Sequence, residues 1–192
     1  MSNENKIINK IFPDTPTKNN LKYDNIGLYS ITLPEDADKI SKIILEQNDN
    51  NSIIFDANAG LGGNTISFCK YFYNVIACEY DNHRFELLKN NMQVFNFDNI
   101  ELINGNCLDF LNNTSYIYFL DPPWGGPTYK HSKKKITIKL NDFYIKDIIN
   151  KIRENNTNPI YFKLPYNYNI NELFDFNYDI VKIKNYLLII IF

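Results

Sequence analysis

The chain has 192 residues, 44% of them hydrophobic, and a formal net charge of −2. That length supports one domain with a sizeable buried core. The near-neutral balance argues against a broad nonspecific RNA-binding surface, so any nucleic acid should be recognised locally, at an end or a single nucleotide. About one residue in six is Asn, a bias that suits an AT-rich genome such as that of a large DNA virus or a parasite. Cys69, Cys78 and Cys107 are odd in number and lack metal-ligand spacing. They read as reduced thiols of an intracellular protein, in cytoplasm or nucleus, or in a host cell if the source is viral. His83 and His131 are isolated, and no metal is expected. The closing run Leu187 to Phe192 is too short to span a membrane, and no signal peptide opens the chain.

Residues 1–20 carry Pro13 and Pro16 among polar residues and read as a loose or partner-ordered arm. A short extension, 21–50, follows, with a helix expected after Pro34 that puts Ile40, Ile43 and Ile44 on one face. Strands are expected near 53–56, 74–79, 100–103, 116–120 and 159–164. Helices near 64–72, 82–95 and 141–155 alternate with them. Two last strands, Ile180 to Ile183 and Tyr186 to Ile191, meet at Lys184-Asn185. Such a βα alternation closing in an antiparallel hairpin implies an α/β fold, a mostly parallel sheet with helices on both faces. No internal repeat is evident, and 21–192 leaves no room for a second domain.

Two motifs carry chemistry. In Ile53 to Thr65 a buried strand runs into a Gly-rich turn and a helix start, where backbone can approach a ligand and unpaired N–H groups point at it. The next strand ends in Glu79, suited to the ribose hydroxyls of an adenosine cofactor. Asp56, at the first strand's tip, would repel a pyrophosphate but pair with a methionine ammonium, which favours S-adenosylmethionine over NAD. The second motif is Asp121-Pro122-Pro123-Trp124, at the end of an apolar strand. Two prolines stiffen that exit and fix the direction of the Asp121 side chain and the Pro122 carbonyl. Acceptors beside an aromatic lid suit methylation of a nucleobase amine.

These motifs give the chain a family likeness. It resembles the trimethylguanosine synthases, cap-specific guanine-N2 methyltransferases, from about Leu21 to the C-terminus. The resemblance rests on Asp56 to Thr65 (Asp-Ala-x-x-Gly-x-Gly-Gly-Asn-Thr) and on Pro122-Pro-Trp-Gly-Gly-Pro127. Weaker echoes are Lys22-Tyr23-Asp24, Tyr29-Ser30-Ile31-Thr32 and Leu164-Pro165-Tyr166-Asn167. Three positions depart from the family: Asp121 stands for Ser, Asn106 for Asp, and Tyr166 for a basic residue. The resemblance implies the seven-stranded class I (Rossmann-like) S-adenosylmethionine-dependent methyltransferase fold in a single domain. It implies methyl transfer to the exocyclic N2 of the 7-methylguanosine cap of RNA, with one or two methyl groups left open, by a chain expected to be monomeric.

The expected site follows. Asp56, Asn58, Gly60, Gly62, Asn64, Thr65, Glu79 and Tyr80 hold the cofactor, with Asn106 and Cys107 beside its adenine and Asp121 at its methyl end. Asp121, Pro122 and Trp124 are the expected catalytic residues. Trp124 stacks on the cationic cap base, with Tyr29 on the other face or else buried in the core. Lys22, Lys133 and Asn167 are further cap contacts. Lys133 belongs to the run Lys130-His131-Ser132-Lys133-Lys134-Lys135, which is either a phosphate contact or a solvated charge run. Two other functions stay open. An adenine-N6 or internal-guanine methyltransferase is favoured by Asp121 and disfavoured by Trp-Gly-Gly-Pro. A cap-binding module with weak catalysis is suggested by Asn106.

Overall fold

The computed structural model describes residues 3–126 and 134–192. They fall into two compact units, one up to Cys107 and one from Leu108 onward. The lysine run at 130–133, with Lys133, lies outside the described residues.

The first unit is built on strands β1 (Ile53–Asp56), β2 (Asn74–Glu79) and β3 (Ile100–Asn104), parallel and in the order β3-β2-β1. From Val75 to Glu79 every residue of β2 is buried, the pattern of a strand covered on both faces. Five helices belong to this unit: α1 (Asn3–Ile11), α2 (Asn25–Ser30), α3 (Pro34–Gln47), α4 (Gly63–Tyr71) and α5 (Asn82–Phe95). Pro34 opens α3, where its fixed φ suits a first helical turn and its missing N–H costs nothing. Ile40 and Ile44 of α3 are buried, whereas Ile43 is only half-buried. Asp81 caps α5 by accepting from the Arg84 N–H, and left-handed Asn96 ends it.

Within the expected loose arm, residues 3–20 are ordered against the core. Ile8, Ile11, Phe12 and Leu21 are buried in one cluster with Leu61, Leu88 and Met92. Ile7, Ile8 and Ile11 share one helical stripe among polar neighbours, and burial of that stripe is what stabilises so short a helix. Pro13 terminates the helix rather than preventing it.

The second unit holds β4 (Tyr116–Leu120), β5 (Lys139–Leu140), β6 (Phe143–Tyr144), α6 (Ile145–Arg153), β7 (Ile160–Pro165), β8 (Tyr178–Ile183) and β9 (Tyr186–Ile191). Four of these strands follow the order β4-β7-β9-β8, with β4 parallel to β7 and β9 antiparallel to both its neighbours. The helix expected from 141 starts at Ile145 instead, because β5 and β6 form a hairpin whose turn needs Asn141 at φ 53°. Asn tolerates that left-handed conformation better than most residues. Among the described residues no helix is long and apolar enough to cross a membrane.

Candidate functional site

In the first unit, β1 delivers Asp56 into the turn that begins α4. Asp56 is 0% exposed, and the Thr65 hydroxyl, in the first turns of α4, donates to its Oδ2 at 2.6 Å. Thr65 is also fully buried, and the pair braces strand tip to helix start.

The ligand-facing part of the turn lies between them. Gly60 (φ 58°) and Gly62 (φ 94°) are both left-handed, but their surroundings differ. A Cβ at Gly62 would meet Met92 at 2.5 Å, whereas at Gly60 nothing stands within 4 Å. Gly62 is thus a packing glycine, and Gly60 leaves open space against bare backbone. Around this turn the side-chain oxygens of Asn58, Asn64 and Thr32 are buried without a hydrogen-bond partner among the described residues. Buried polar atoms are normally paired, so three orphans mark a place where a polar ligand supplies the partners. These residues fit the amino-acid end of S-adenosylmethionine. Thr32 closes the stretch Tyr29-Ser30-Ile31-Thr32, where no local signal singles it out.

Glu79 ends β2 at the same turn. Its Oε2 accepts from Gly60 N and its Oε1 from Asp81 N, both at 2.9 Å. Arg84 on α5 lies 3.5 Å from Glu79 and 3.6 Å from Asp24, which caps α2 by accepting from Gly27 N. Glu79 is therefore tied through one guanidinium to the helix that carries Tyr29. Tyr29 is 41% exposed, which removes the reading of a core aromatic. Tyr80 is 74% exposed beside Glu79, open to a flat ligand. Asn106 is half-buried. Cys107 is buried, its sulfur 4.0 Å from Asn58 Nδ2. Lys22 is exposed, but its backbone is clamped: fully buried Asn91 accepts from Lys22 N at 2.9 Å and donates to Lys22 O at 3.0 Å and Leu61 O at 3.1 Å. Lys22 also lines a surface cleft of about 440 Å³ with His83, Glu86 and Lys89.

In the second unit, Asp121 leaves the end of β4 and meets Lys163, from the middle of β7. Lys163 Nζ donates to Asp121 Oδ2 at 2.6 Å, with side chains 5% and 14% exposed respectively. Burial pushes the Asp121 carboxyl above its ordinary range, and the Lys163 ammonium opposes that shift. Pro122 is buried and Trp124 half-buried. Trp124 is pinned: its Nε1 donates to the Lys163 carbonyl at 3.3 Å, and Lys163 Nζ lies 5.0 Å from the indole centroid. The same ammonium lies 5.0 Å from the Tyr186 ring on β9. Beyond Trp124, Gly125 and Gly126 both take φ near 80° with open space around them. Asn167 is buried, its Nδ2 3.5 Å from the Lys134 carbonyl.

Residues 51–190 match the family described as RNA cap guanine-N2 methyltransferase. A Schizosaccharomyces pombe trimethylguanosine synthase is 31% identical over 76% of the chain. The chain belongs to the RNA cap guanine-N2 methyltransferase family. An uncharacterised protein of Acanthamoeba polyphaga mimivirus is 32% identical over 73% of the chain. The matched segments span 54% of the mimivirus protein and 63% of the yeast one, so the chain spans less than two thirds of the length of these relatives. A candidate methyltransferase from Streptococcus mutans, solved with S-adenosylhomocysteine, superposes with a TM-score of 0.55 at 17% identity, covering 84% of this chain and 98% of its own. The fold is accordingly the seven-stranded methyltransferase fold.

Within this family member, sequence reasoning missed Lys163, Asn91 and Arg84. A signal for Lys163 was present. It is the one charged residue in the apolar run Ile160-Tyr-Phe-Lys-Leu-Pro165, every residue of which is buried, and a lysine in such a strand must find an anionic partner.

Proposed function

We propose that this chain binds S-adenosylmethionine and transfers its methyl group to the exocyclic N2 of the 7-methylguanosine cap of RNA. The observation that carries the reading is Trp124, half-buried with its indole pinned to a strand carbonyl beside the Asp121 carboxylate. A flat aromatic surface next to an acceptor suits a base that presents an amine. The family match supports guanine as that base.

On this reading the Gly60 backbone, Asn58, Asn64 and Thr32 receive the amino-acid end of the cofactor, and Glu79 with Tyr80 receives its nucleoside. The sulfonium supplies an electrophilic methyl. Trp124 stacks on the cap base, whose positive charge strengthens the contact. Asp121 and the Pro122 carbonyl accept hydrogen bonds from the amine. They orient its nitrogen toward the methyl and stabilise the positive charge that grows on nitrogen during transfer. The methylated ammonium is acidic and loses its proton to water, so no early general base is required.

The test compares m7GTP, GTP and unmodified RNA as methyl acceptors, with Trp124→Ala alongside. Stacking on a base is worth about 1–3 kcal/mol by alanine substitution, so the variant should lose activity on m7GTP yet bind S-adenosylhomocysteine as before. Equal rates on GTP and m7GTP, or methylation of adenine, would move the assignment to the adenine-N6 or internal-guanine reading that a carboxylate at 121 favours. Methylation of none of these acceptors, with m7GTP still bound, would leave a cap-binding module.

A further inference from the structure

We propose that Lys163 is a positioning residue for methyl transfer, keeping Asp121 an ionised acceptor and pinning Trp124, so that one strand position sets both the amine and the plane of the base. The backbone carbonyl of Lys163 takes the indole N–H at 3.3 Å, and its ammonium takes Asp121 Oδ2 at 2.6 Å. The ammonium also lies over both the Trp124 and Tyr186 rings.

Stability alone gives little reason for this pair. A buried ion pair is commonly no more stable than apolar side chains of the same volume. What the pair provides is a directed acceptor. With Oδ2 held by Lys163, Oδ1 makes no hydrogen bond to any described residue, and the side chain keeps 14% exposure. An ionised carboxylate only accepts, whereas a protonated one presents an O–H to the incoming N–H and repels it. Burial drives Asp121 toward the protonated form, and Lys163 is the charged group that opposes it. From β9, Tyr186 faces the same ammonium.

The inference rests on the proposed amino methylation only for its activity readout, so the decisive measurement needs no substrate. The full chain, labelled at aspartate Cγ, is titrated by carbon NMR as wild type, Lys163→Gln, Lys163→Met and Lys163→Arg, with Asp121→Asn assigning the signal. Asp121 should titrate at higher pH in the Gln and Met variants and near its wild-type position in Arg. Trp124 is the single tryptophan, so its emission should follow the same titration. With m7GTP as acceptor, the acid limb of kcat/KM should move upward in Lys163→Gln. The ratio of rates at about pH 8 and about pH 6 should rise, approaching about tenfold per unit once the carboxyl titrates above about pH 6. A merely structural lysine would lower the rate equally at every pH. An Asp121 titration unchanged in Lys163→Gln, or a loss independent of pH, overturns the proposal. A wild type that ignores m7GTP sinks the cap assignment and leaves the titration to decide Lys163. Should Lys163→Met fail to fold, Lys163→Gln, which retains a hydrogen-bond donor without charge, carries the test.

Discussion

Two strands of this chain hand over to an aspartate, and the two carboxylates are held by opposite means. Asp56, at the end of β1, is held by the hydroxyl of Thr65, nine residues further on and within the same motif. Asp121, just after β4, is held by the ammonium of Lys163, 42 residues away on another strand. The first arrangement is local, neutral on the donor side and sealed. The second is distant in sequence, fully charged and partly open. A sealed carboxylate braces a turn, whereas an open one held by a cation has an oxygen to spare for a ligand.

The contrast is sharpest when the partners are removed. Lys163→Met should cost about 3–5 kcal/mol, the range for stranding one member of a buried ion pair, read as a loss of unfolding free energy in urea. Asp121→Asn in the same background should restore part of it. Thr65→Val removes a hydrogen bond to a charged group, and about 1.5–3 kcal/mol is expected. A Thr65→Val loss as large as that of Lys163→Met would erase the distinction between the two sites.

The smallest effect is a pH slope. Burial raises Asp121 above its ordinary value of 3.8, against the pull of Lys163. Between those values the folded chain holds a proton that the unfolded chain has released. Stability should therefore fall as pH rises from about 4 through the raised value. Asp121→Asn should flatten that slope. A slope unaltered by the substitution would place its origin in other groups.

How much of this was legible in the sequence follows the same division. The strand–turn–helix at 53–65 and the stiff exit at 121–124 are contiguous, and residue type alone nearly determines their backbone. Glu79 stands out in the sequence because it closes the next strand, β2. The partners of Asp56 and Asp121 were not. The acid at 56 lies in the position expected for a cofactor contact, yet burial turns it inward, and burial is a property of packing. Lys163 pairs across two strands, a register that no local pattern reports. The helix at Asn3–Ile11 was hidden because its polar majority and the following prolines outweighed a narrow apolar stripe. The hairpin at 139–144 was hidden because Asn141 adopts a conformation that composition does not announce. The lysine run near Trp124 lies largely outside the described residues.

The bond between Asp121 and Lys163 also constrains how such a site could arise. Where the resembling family carries a serine, this chain carries an acid, and the acid is tolerable only with a cation opposite. Either substitution made first would strand a charge inside the protein, a cost of several kcal/mol. A lineage must therefore cross that gap quickly or reach the pair through an uncharged side chain at one position. Once both charges are in place, going back is as hard as arriving. The pair acts as a ratchet, and positions 121 and 163 should be inherited together or changed together.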